Sequence, residues 1–347
     1  MGGLLFKTER LPKEQYLKLE GEVKKKLKRH NIDYFIPYYL SNKKDFGDLD
    51  VLVPAGITSE NIRTWFTPTK IEKLISQVTR KSIAKIEEYN VNGSVISIKY
   101  KNFQIDFIRI SDENRDIARH YYSWNDLSNL LGRLFHKFHL KFGWDGLSYF
   151  YKTEHGEIKV PITKDIEEIL GFLGLSARTY FKGFTSEKEM FEYVVSSKYF
   201  NPYVYDFENT NKINRDRDKK RRVYNEFLAH IQPIKSKYPL YHTWAETNIS
   251  NHIEVIDKYF PYSLIKETIK MIEQREIRRK ERLEKFSGSL IMNALGITQG
   301  EEVGKAIEAF KNYTLTHTNY KDFETYLDEN DKEEISLHVS VWAKSIK

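Results

Sequence analysis

The chain has 347 residues, with 56 Lys and Arg against 49 Asp and Glu, and it contains no cysteine. This length allows two or three domains, and the lack of cysteine excludes disulfides and thiolate metal sites. The formal charge of +7 favours a polyanionic partner where the positive charges cluster. No apolar run reaches the ~20 residues of a membrane span and residues 1–10 lack a signal-peptide core, so we expect a soluble, cytoplasmic protein that does not bind membranes.

The first ~115 residues carry mixed helix and strand signals. Apolar residues at helical spacing predict a helix over residues 13–29, and an apolar run predicts a strand over 34–36. A further helix is predicted around residues 71–78. Together these signals indicate a small mixed sheet with helices packed on it.

Two carboxylates lie two residues apart at the start of the apolar run Asp48-Leu49-Asp50-Val51-Leu52-Val53. Because residues i and i+2 of a strand point to one face, Asp48 and Asp50 should converge, and a hard divalent cation would relieve their repulsion. The alternative is that Asp48 is a turn residue and Asp50 a solvated strand position.

A third carboxylate, Asp106, lies in a second predicted strand over residues 103–108. Residues 94–100 alternate in polarity, and Lys101-Asn102 predicts a tight turn, which places Asp106 on an antiparallel hairpin. If this strand neighbours the first, the three carboxylates can hold two Mg²⁺ ions, with Mn²⁺ as the alternative. Such a pair of ions polarises a triphosphate and activates an attacking hydroxyl.

These two motifs resemble those of the nucleotidyltransferase superfamily, which includes DNA polymerase β, poly(A) polymerases and CCA-adding tRNA nucleotidyltransferases. The resemblance implies that Asp48 and Asp50 bind both metals. It also implies that Asp106 binds the catalytic metal and helps a 3′-hydroxyl to attack the α-phosphate of an NTP.

A C-terminal segment is similar to one found in tRNA nucleotidyltransferases and related poly(A) polymerases. The matching residues are Phe286-Ser287-Gly288, Leu295-Gly296 and Gly300-Glu301-Glu302-Val303-Gly304. This similarity favours an RNA 3′ end, with tRNA as one candidate, as the acceptor.

The resembled family has a glycine turn before the paired aspartates, whose amides hold the triphosphate, and this chain departs from it. No glycine lies between residues 38 and 46. Side chains can supply hydrogen bonds and positive charge instead, so we predict nucleotide contacts from Ser41, Asn42, Lys43 and Lys44. A solvated basic turn is the alternative.

A long helix is predicted over residues 123–143, with its leucines and Phe138 facing the core. In the resembled family, the helical layer beside the sheet often supplies basic groups to the triphosphate. The candidates here are Arg133, His136, Lys137 and Lys141. A plain amphipathic helix is the alternative.

A turn and short hairpin are predicted over residues 142–160, and helices over 165–173, 186–195 and 264–285. Two basic clusters predict nucleic-acid contacts. Their residues are Arg215, Arg217, Lys219, Lys220, Arg221 and Arg222 in the first cluster and Arg278 and Arg279 in the second. A solvated helix face with alternating charges is the alternative for the second cluster.

The sequence predicts an α+β protein in three parts: a catalytic domain over 1–122, a helical nucleotide-binding region over 123–205 and a helical nucleic-acid-binding region over 206–347. We expect template-independent transfer of a nucleoside monophosphate from an NTP to an RNA 3′-hydroxyl, with release of pyrophosphate. One alternative is nucleotidylation of a protein or small molecule, as in toxin and antibiotic-modifying relatives of the superfamily. Another is an RNA-binding module with degenerate catalysis.

Overall fold

A computed structural model describes residues 5–70, 73, 85–239, 251–298 and 300–346. The helix predicted around residues 71–78 lies outside the described residues apart from Lys73. The chain divides into a first unit, Met1–Ile265, and a second unit, Lys266–Lys347. The sequence-based boundaries after residues 122 and 205 fall within the first unit and stay predictions. The α+β class is confirmed.

A four-stranded sheet with the order β3-β6-β5-β4 forms the N-terminal part of the first unit. Its strands are β3 (Asp48–Pro54), β4 (Ile86–Asn92), β5 (Val95–Tyr100) and β6 (Phe103–Ile110). The central strand β6 runs parallel to β3 and antiparallel to β5. A smaller two-stranded sheet joins β1 (Leu11–Pro12) and β2 (Asp45–Phe46).

The predicted hairpin before Asp106 is confirmed. Lys101 and Asn102 connect β5 to β6 with φ angles of 54° and 56°. Positive φ at both turn residues matches the twist of an antiparallel pair. Alternate side chains of β6, namely Phe103, Ile105 and Phe107, are fully buried.

Two helices cover the buried face of this sheet: α1 (Lys13–Arg29) and α2 (Ser59–Phe66). The predicted stripe of α1 is confirmed, because Val23 and Leu27 are completely buried in the same core as Phe107. Each large apolar side chain buried in this way contributes about 1.5–3 kcal/mol to stability.

The predicted strand over residues 34–36 is wrong. Phe35 makes a single antiparallel bridge to Leu52, with N–O distances of 3.0 and 2.8 Å. Pro37 has no N–H to continue a ladder, and the chain turns at Tyr38 to bond with residues 123 and 124.

The predicted long helix over residues 123–143 is also wrong in its second half. After α3 (Arg115–Tyr122), helix α4 spans only Leu127–Phe135, and a 3₁₀ turn leads to His139, which has φ 55°. Residues Leu140–Gly143 form β7, because Leu140 and Phe142 are buried on one side of an exposed Lys141. Buried and exposed side chains alternate at these residues, which favours a strand over the helix that the sequence pattern predicted.

A three-stranded antiparallel sheet follows, in the order β7-β8-β9, which confirms the hairpin predicted over 142–160. Its other strands are β8 (Gly146–Thr153) and β9 (Gly156–Thr163). The predicted helices over 165–173 and 186–195 are confirmed, and the side chains of Asp165 and Ser186 cap them. The remaining helices of the first unit are α5 (Ile166–Phe172), α6 (Ala177–Lys182), α7 (Glu187–Val195), α8 (Lys212–Asp218), α9 (Arg222–Ile231) and α10 (His252–Tyr259).

Helices make up the described part of the second unit. They are α11 (Ile265–Lys285), α12 (Gly288–Leu295), α13 (Glu301–His317), α14 (Phe323–Glu329) and α15 (Lys332–Ser345). Phe286, Phe310 and Trp342 pack in their shared core. The helix predicted over 264–285 is confirmed as α11. None of the helices in the described ranges is long and apolar enough to cross a membrane.

Candidate active site

Three carboxylates meet at one edge of the four-stranded sheet. Asp48 and Asp50 project from β3 and Asp106 from β6, and one oxygen from each lies within 4.8 Å of the others. The parallel register, which sets Asp50 opposite Asp106, brings the three together. The predicted convergence is confirmed, and no other cluster of three metal-ligating side chains occurs in the described part of the chain.

Burial raises the pKa of all three carboxyls. For Asp50, the charges of Asp48 and Asp106 raise the pKa further. For Asp106, hydrogen bonds from Ser97 and Gln104 partly offset the rise in pKa. Nε2 of Gln104 donates to both carboxylate oxygens of Asp106, at 3.1 and 2.9 Å. The cluster therefore holds more negative charge than its protein surroundings neutralise.

This donor set fits a hard divalent cation. All three ligands are carboxylate oxygens, which Mg²⁺ and Mn²⁺ prefer, and no sulfur or imidazole is available in the cluster to favour zinc. A bound cation would also remove the repulsion that raises the pKa of Asp50. These residues could hold a metal ion.

A cleft of about 1090 Å³ opens over Asp48 and Asp50. One wall is drawn from residues 36–40 and 42–48 with Asp50, and the other from Tyr122, Asn125, Asp126, Glu187, Arg217 and residues 220–223. Small-molecule pockets typically enclose ~300–1,000 Å³. The cleft is therefore large enough for a nucleotide.

The loop before the paired aspartates uses its backbone amides within the protein. The amides of Ser41 and Asn42 donate to the carbonyls of Phe184 and Thr185 at 3.3 and 3.0 Å. The amide of Lys43 donates to the carbonyl of Leu40 at 3.0 Å. Of the four predicted nucleotide ligands in this loop, Asn42, Lys43 and Lys44 line the cleft and Ser41 does not.

Lys43 projects from this loop into the half-buried space beside the acids. Its Nζ donates to Oδ1 of Asn125 at 3.1 Å and lies 4.5 Å from the centre of the Phe46 ring. Burial lowers the pKa of Lys43, and the negative charges of Asp48 and Asp50 oppose that shift.

The four helical candidates for the triphosphate do not line the cleft, and their role stays a prediction. The expectation that Arg133 projects from its helix is wrong: its side chain is 7% exposed and binds Asp218, which is fully buried. Lys141 lies on β7, with its Nζ 5.2 Å from the centre of the Phe150 ring. His136 and Lys137 lie in the 3₁₀ turn after α4.

The first basic cluster lies partly on the wall opposite the acids. Arg217, Lys220, Arg221 and Arg222 line the cleft, whereas Arg215 and Lys219 do not. Arg221 is paired with Asp126, and Arg222 with Glu187 and Glu226 at 2.6 Å each. This position had not been expected, because two of the acids that pair with these arginines, Asp126 and Glu187, are distant in sequence.

Sequence reasoning also missed Tyr38 and Asn125. Tyr38 lines the cleft, is 53% exposed and stacks on Trp124 with ring centres 5.4 Å apart. Trp124 and Asn125 adopt consecutive left-handed conformations, with φ 63° and 55°. The aromatic pair Tyr38-Tyr39 just before the loop was the available signal for Tyr38, and nothing local indicated Asn125.

The second basic cluster lies on α11 in the second unit. Arg275, Arg278 and Arg279 are exposed and make no ion pair or hydrogen bond with any described residue. Arg282, one turn later, is instead held by Glu324 and Asp328. The three exposed guanidiniums are spaced i, i+3 and i+4, so they share one face of the helix, and the charge of Arg278 helps to lower the pKa of Asp328.

No protein-family model matches the chain, and no curated protein is similar to it in sequence. The residues of the cleft therefore carry the functional assignment.

Proposed function

We propose that the protein is a metal-dependent, template-independent nucleotidyltransferase. It would transfer a nucleoside monophosphate from an NTP to the 3′-hydroxyl of an RNA, with tRNA as one candidate acceptor. The observation that carries this proposal is the convergence of Asp48, Asp50 and Asp106, the first two of which line a nucleotide-sized cleft.

The charge distribution of the cleft supports a phosphate donor. Carboxylates occupy the floor, while Lys43, Lys44 and Lys220 lie around them. Bound Mg²⁺ would supply electrophilic activation of the α-phosphate, held by the three aspartates. The lysines would neutralise the remaining phosphate oxygens.

The proposed reaction needs no reactant besides the NTP and the acceptor hydroxyl. The acceptor oxygen bonds to the α-phosphorus, the bond from that phosphorus to the oxygen bridging to the β-phosphate breaks, and pyrophosphate leaves. Asp106 is our candidate to take the hydroxyl proton, because its carboxylate lies beside the paired aspartates that would hold the metal and the α-phosphate.

Two features support RNA as the acceptor. The exposed face of α11 carries Arg275, Arg278 and Arg279, and exposed guanidiniums bind phosphates readily. Tyr38 offers an exposed aromatic ring at the cleft, on which a base can stack.

The test is to incubate the purified protein with Mg²⁺, each labelled NTP in turn, and a mixture of tRNA and unstructured RNA. We expect label at RNA 3′ ends, and its loss in Asp48→Asn, Asp50→Asn and Asp106→Asn. Asp116→Asn, which removes the charge of an exposed carboxylate at the surface of α3, is the matched control and should leave transfer unchanged.

Label on protein instead of RNA would favour modification of a protein. RNA binding with no labelled product would favour the degenerate binding module. Full activity in any of the three triad variants would contradict the metal assignment itself.

A further inference from the structure

The residues around Lys43 suggest how the cleft recognises a triphosphate. Four of the backbone amides between residues 38 and 43 are already bonded within the protein, at Tyr38, Ser41, Asn42 and Lys43. Those four amides cannot donate to a ligand, which favours side chains for anion recognition at this loop.

Lys43 is the side chain in the best position. An ammonium has three N–H donors. One is directed to Asn125 Oδ1 at 3.1 Å, and the π face of Phe46 lies 4.5 Å from the nitrogen. These two contacts hold the ammonium in a half-buried position and use one of its three N–H donors, and Lys43 lines the same cleft as Asp48 and Asp50.

Asn125 holds its position through an unusual turn. Both Trp124 and Asn125 have positive φ, which is uncommon for residues other than glycine and especially for a bulky side chain. The Trp124 amide donates to the Tyr38 carbonyl at 2.7 Å, and its ring stacks on Tyr38. A Cβ at Gly183 would come within 2.5 Å of the same ring, so glycine is required there.

Strained backbone of this kind persists where surrounding contacts enforce it, and it concentrates at functional sites. Here the turn delivers the carboxamide of Asn125 to the ammonium of a residue 82 positions earlier. Asn125 therefore joins the helical wall of the cleft to the loop above the acids.

We infer that Lys43, oriented by Asn125, binds the β- and γ-phosphates of the NTP, and that Asn125 is a positioning residue. This inference rests on the proposed function. It assigns triphosphate recognition to one anchored side chain rather than to the backbone of the loop.

The test is equilibrium binding of ATP, CTP, GTP and UTP, and of the matching monophosphates, at saturating Mg²⁺ and without acceptor. In Lys43→Gln we expect about tenfold or greater loss of NTP affinity and NMP affinity within about twofold of wild type, because a charge-assisted hydrogen bond to the outer phosphates is lost. Lys28→Gln, an exposed lysine on α1, is the charge-matched control.

Asn125→Gly keeps the left-handed backbone without strain and removes only the carboxamide. We expect about three- to tenfold weaker NTP binding, because the freed lysine must then be ordered by the ligand. Asn31 has φ 53° and lies outside the cleft, so Asn31→Gly is the matched backbone control.

The double variant Lys43→Gln/Asn125→Gly separates positioning from a general structural effect. If Asn125 acts through Lys43, the double variant binds NTP like Lys43→Gln alone. The inference would be overturned if Asn125→Gly weakened NTP binding as much in the Lys43→Gln background as it does in the wild type. It would also be overturned if Lys43→Gln bound NTP as tightly as the wild type does. Either result would leave the proposed function standing. A wild-type protein that binds no NTP would overturn both.

Discussion

The first unit contains two buried ionic clusters of opposite character. Arg133 and Asp218 form an ion pair with almost no exposure, and Asn129 and Arg217 also bond to the same carboxylate. The acidic triad, in contrast, gathers three like charges, and among the described residues the charge of Lys43 opposes the rise in the pKa of Asp48 and Asp50. The compensated cluster joins α4 to α8, whereas the uncompensated cluster stores repulsion that a cation can relieve. Negative charge is therefore neutralised within the protein in the first cluster, whereas in the second a cation could neutralise it.

The largest expected effect lies in the compensated cluster. Asp218→Leu should lower stability by about 3–5 kcal/mol, because it leaves the Arg133 guanidinium buried without its counter-charge. The measurement is the unfolding transition of the first unit in urea. The double variant Arg133→Met/Asp218→Leu should recover much of this loss, and a double variant as unstable as the single one would contradict the comparison.

Metal binding should produce the next largest effect, in the uncompensated cluster. Mg²⁺ at a hundred times its Kd should stabilise the wild-type protein by about 2.7 kcal/mol. Thermal unfolding with and without Mg²⁺ measures this gain, which should disappear in Asp50→Asn and persist in Asp116→Asn. An equal gain in Asp50→Asn would place the ion elsewhere.

Without metal, the sign of the pH dependence distinguishes the triad from an ordinary ion pair. The raised pKa of Asp50 means that its contribution to stability is fully present below the unfolded value, near 3.8, and is lost as pH rises through the folded pKa. In EDTA, Asp50→Asn should therefore unfold at a higher temperature than wild type at neutral pH, with the difference shrinking towards pH 4. A difference that grows on acidification would mean that Asp50 is stabilised as a carboxylate.

The exposed arginines of α11 differ from both ionic clusters of the first unit, and their removal should have the smallest effect on stability. Changing Arg275, Arg278 and Arg279 together to Gln should alter the unfolding midpoint little, because no described residue pairs with them. If each contacts one RNA phosphate, the slope of log affinity against log salt should fall by about 2. RNA binding at several salt concentrations measures this slope.

The control for that experiment changes three exposed lysines of the same unit, Lys321, Lys332 and Lys344, to Gln. It removes the same total charge away from α11 and should keep a slope close to that of the wild type. Equal slopes in the two triple variants would show that net charge, and not the α11 surface, governs RNA binding.

Local patterns were sufficient to predict the floor of the site. The spacing of Asp48 and Asp50, the alternation around Asp106 and the turn at Lys101-Asn102 each depend on neighbours in sequence. Their convergence required only that β3 and β6 be adjacent, and the structure has them paired.

The walls of the cleft could not be predicted in this way. Arg133 appears on a helical wheel as a surface cation, and only Asp218, 85 residues away, accounts for its burial. Asn125 contributes through a backbone conformation that Tyr38 and Gly183 enforce from distant parts of the chain. Long-range pairing decides such positions, and single-sequence periodicity contains no information about it.

The parallel pairing of β3 with β6 has a consequence for the order of folding. The hairpin of β5 and β6 is local and can form early, but β3 reaches its place beside β6 only after the chain from residue 55 to residue 102 has closed into a loop. Such distant pairing is slow compared with hairpin formation. On the ribosome, the nascent chain would carry two of the three candidate metal ligands for some 55 residues of synthesis before the third emerges. Tight binding of the cation would thus require the completed sheet, so the appearance of metal affinity during folding would give the time at which β3 pairs with β6.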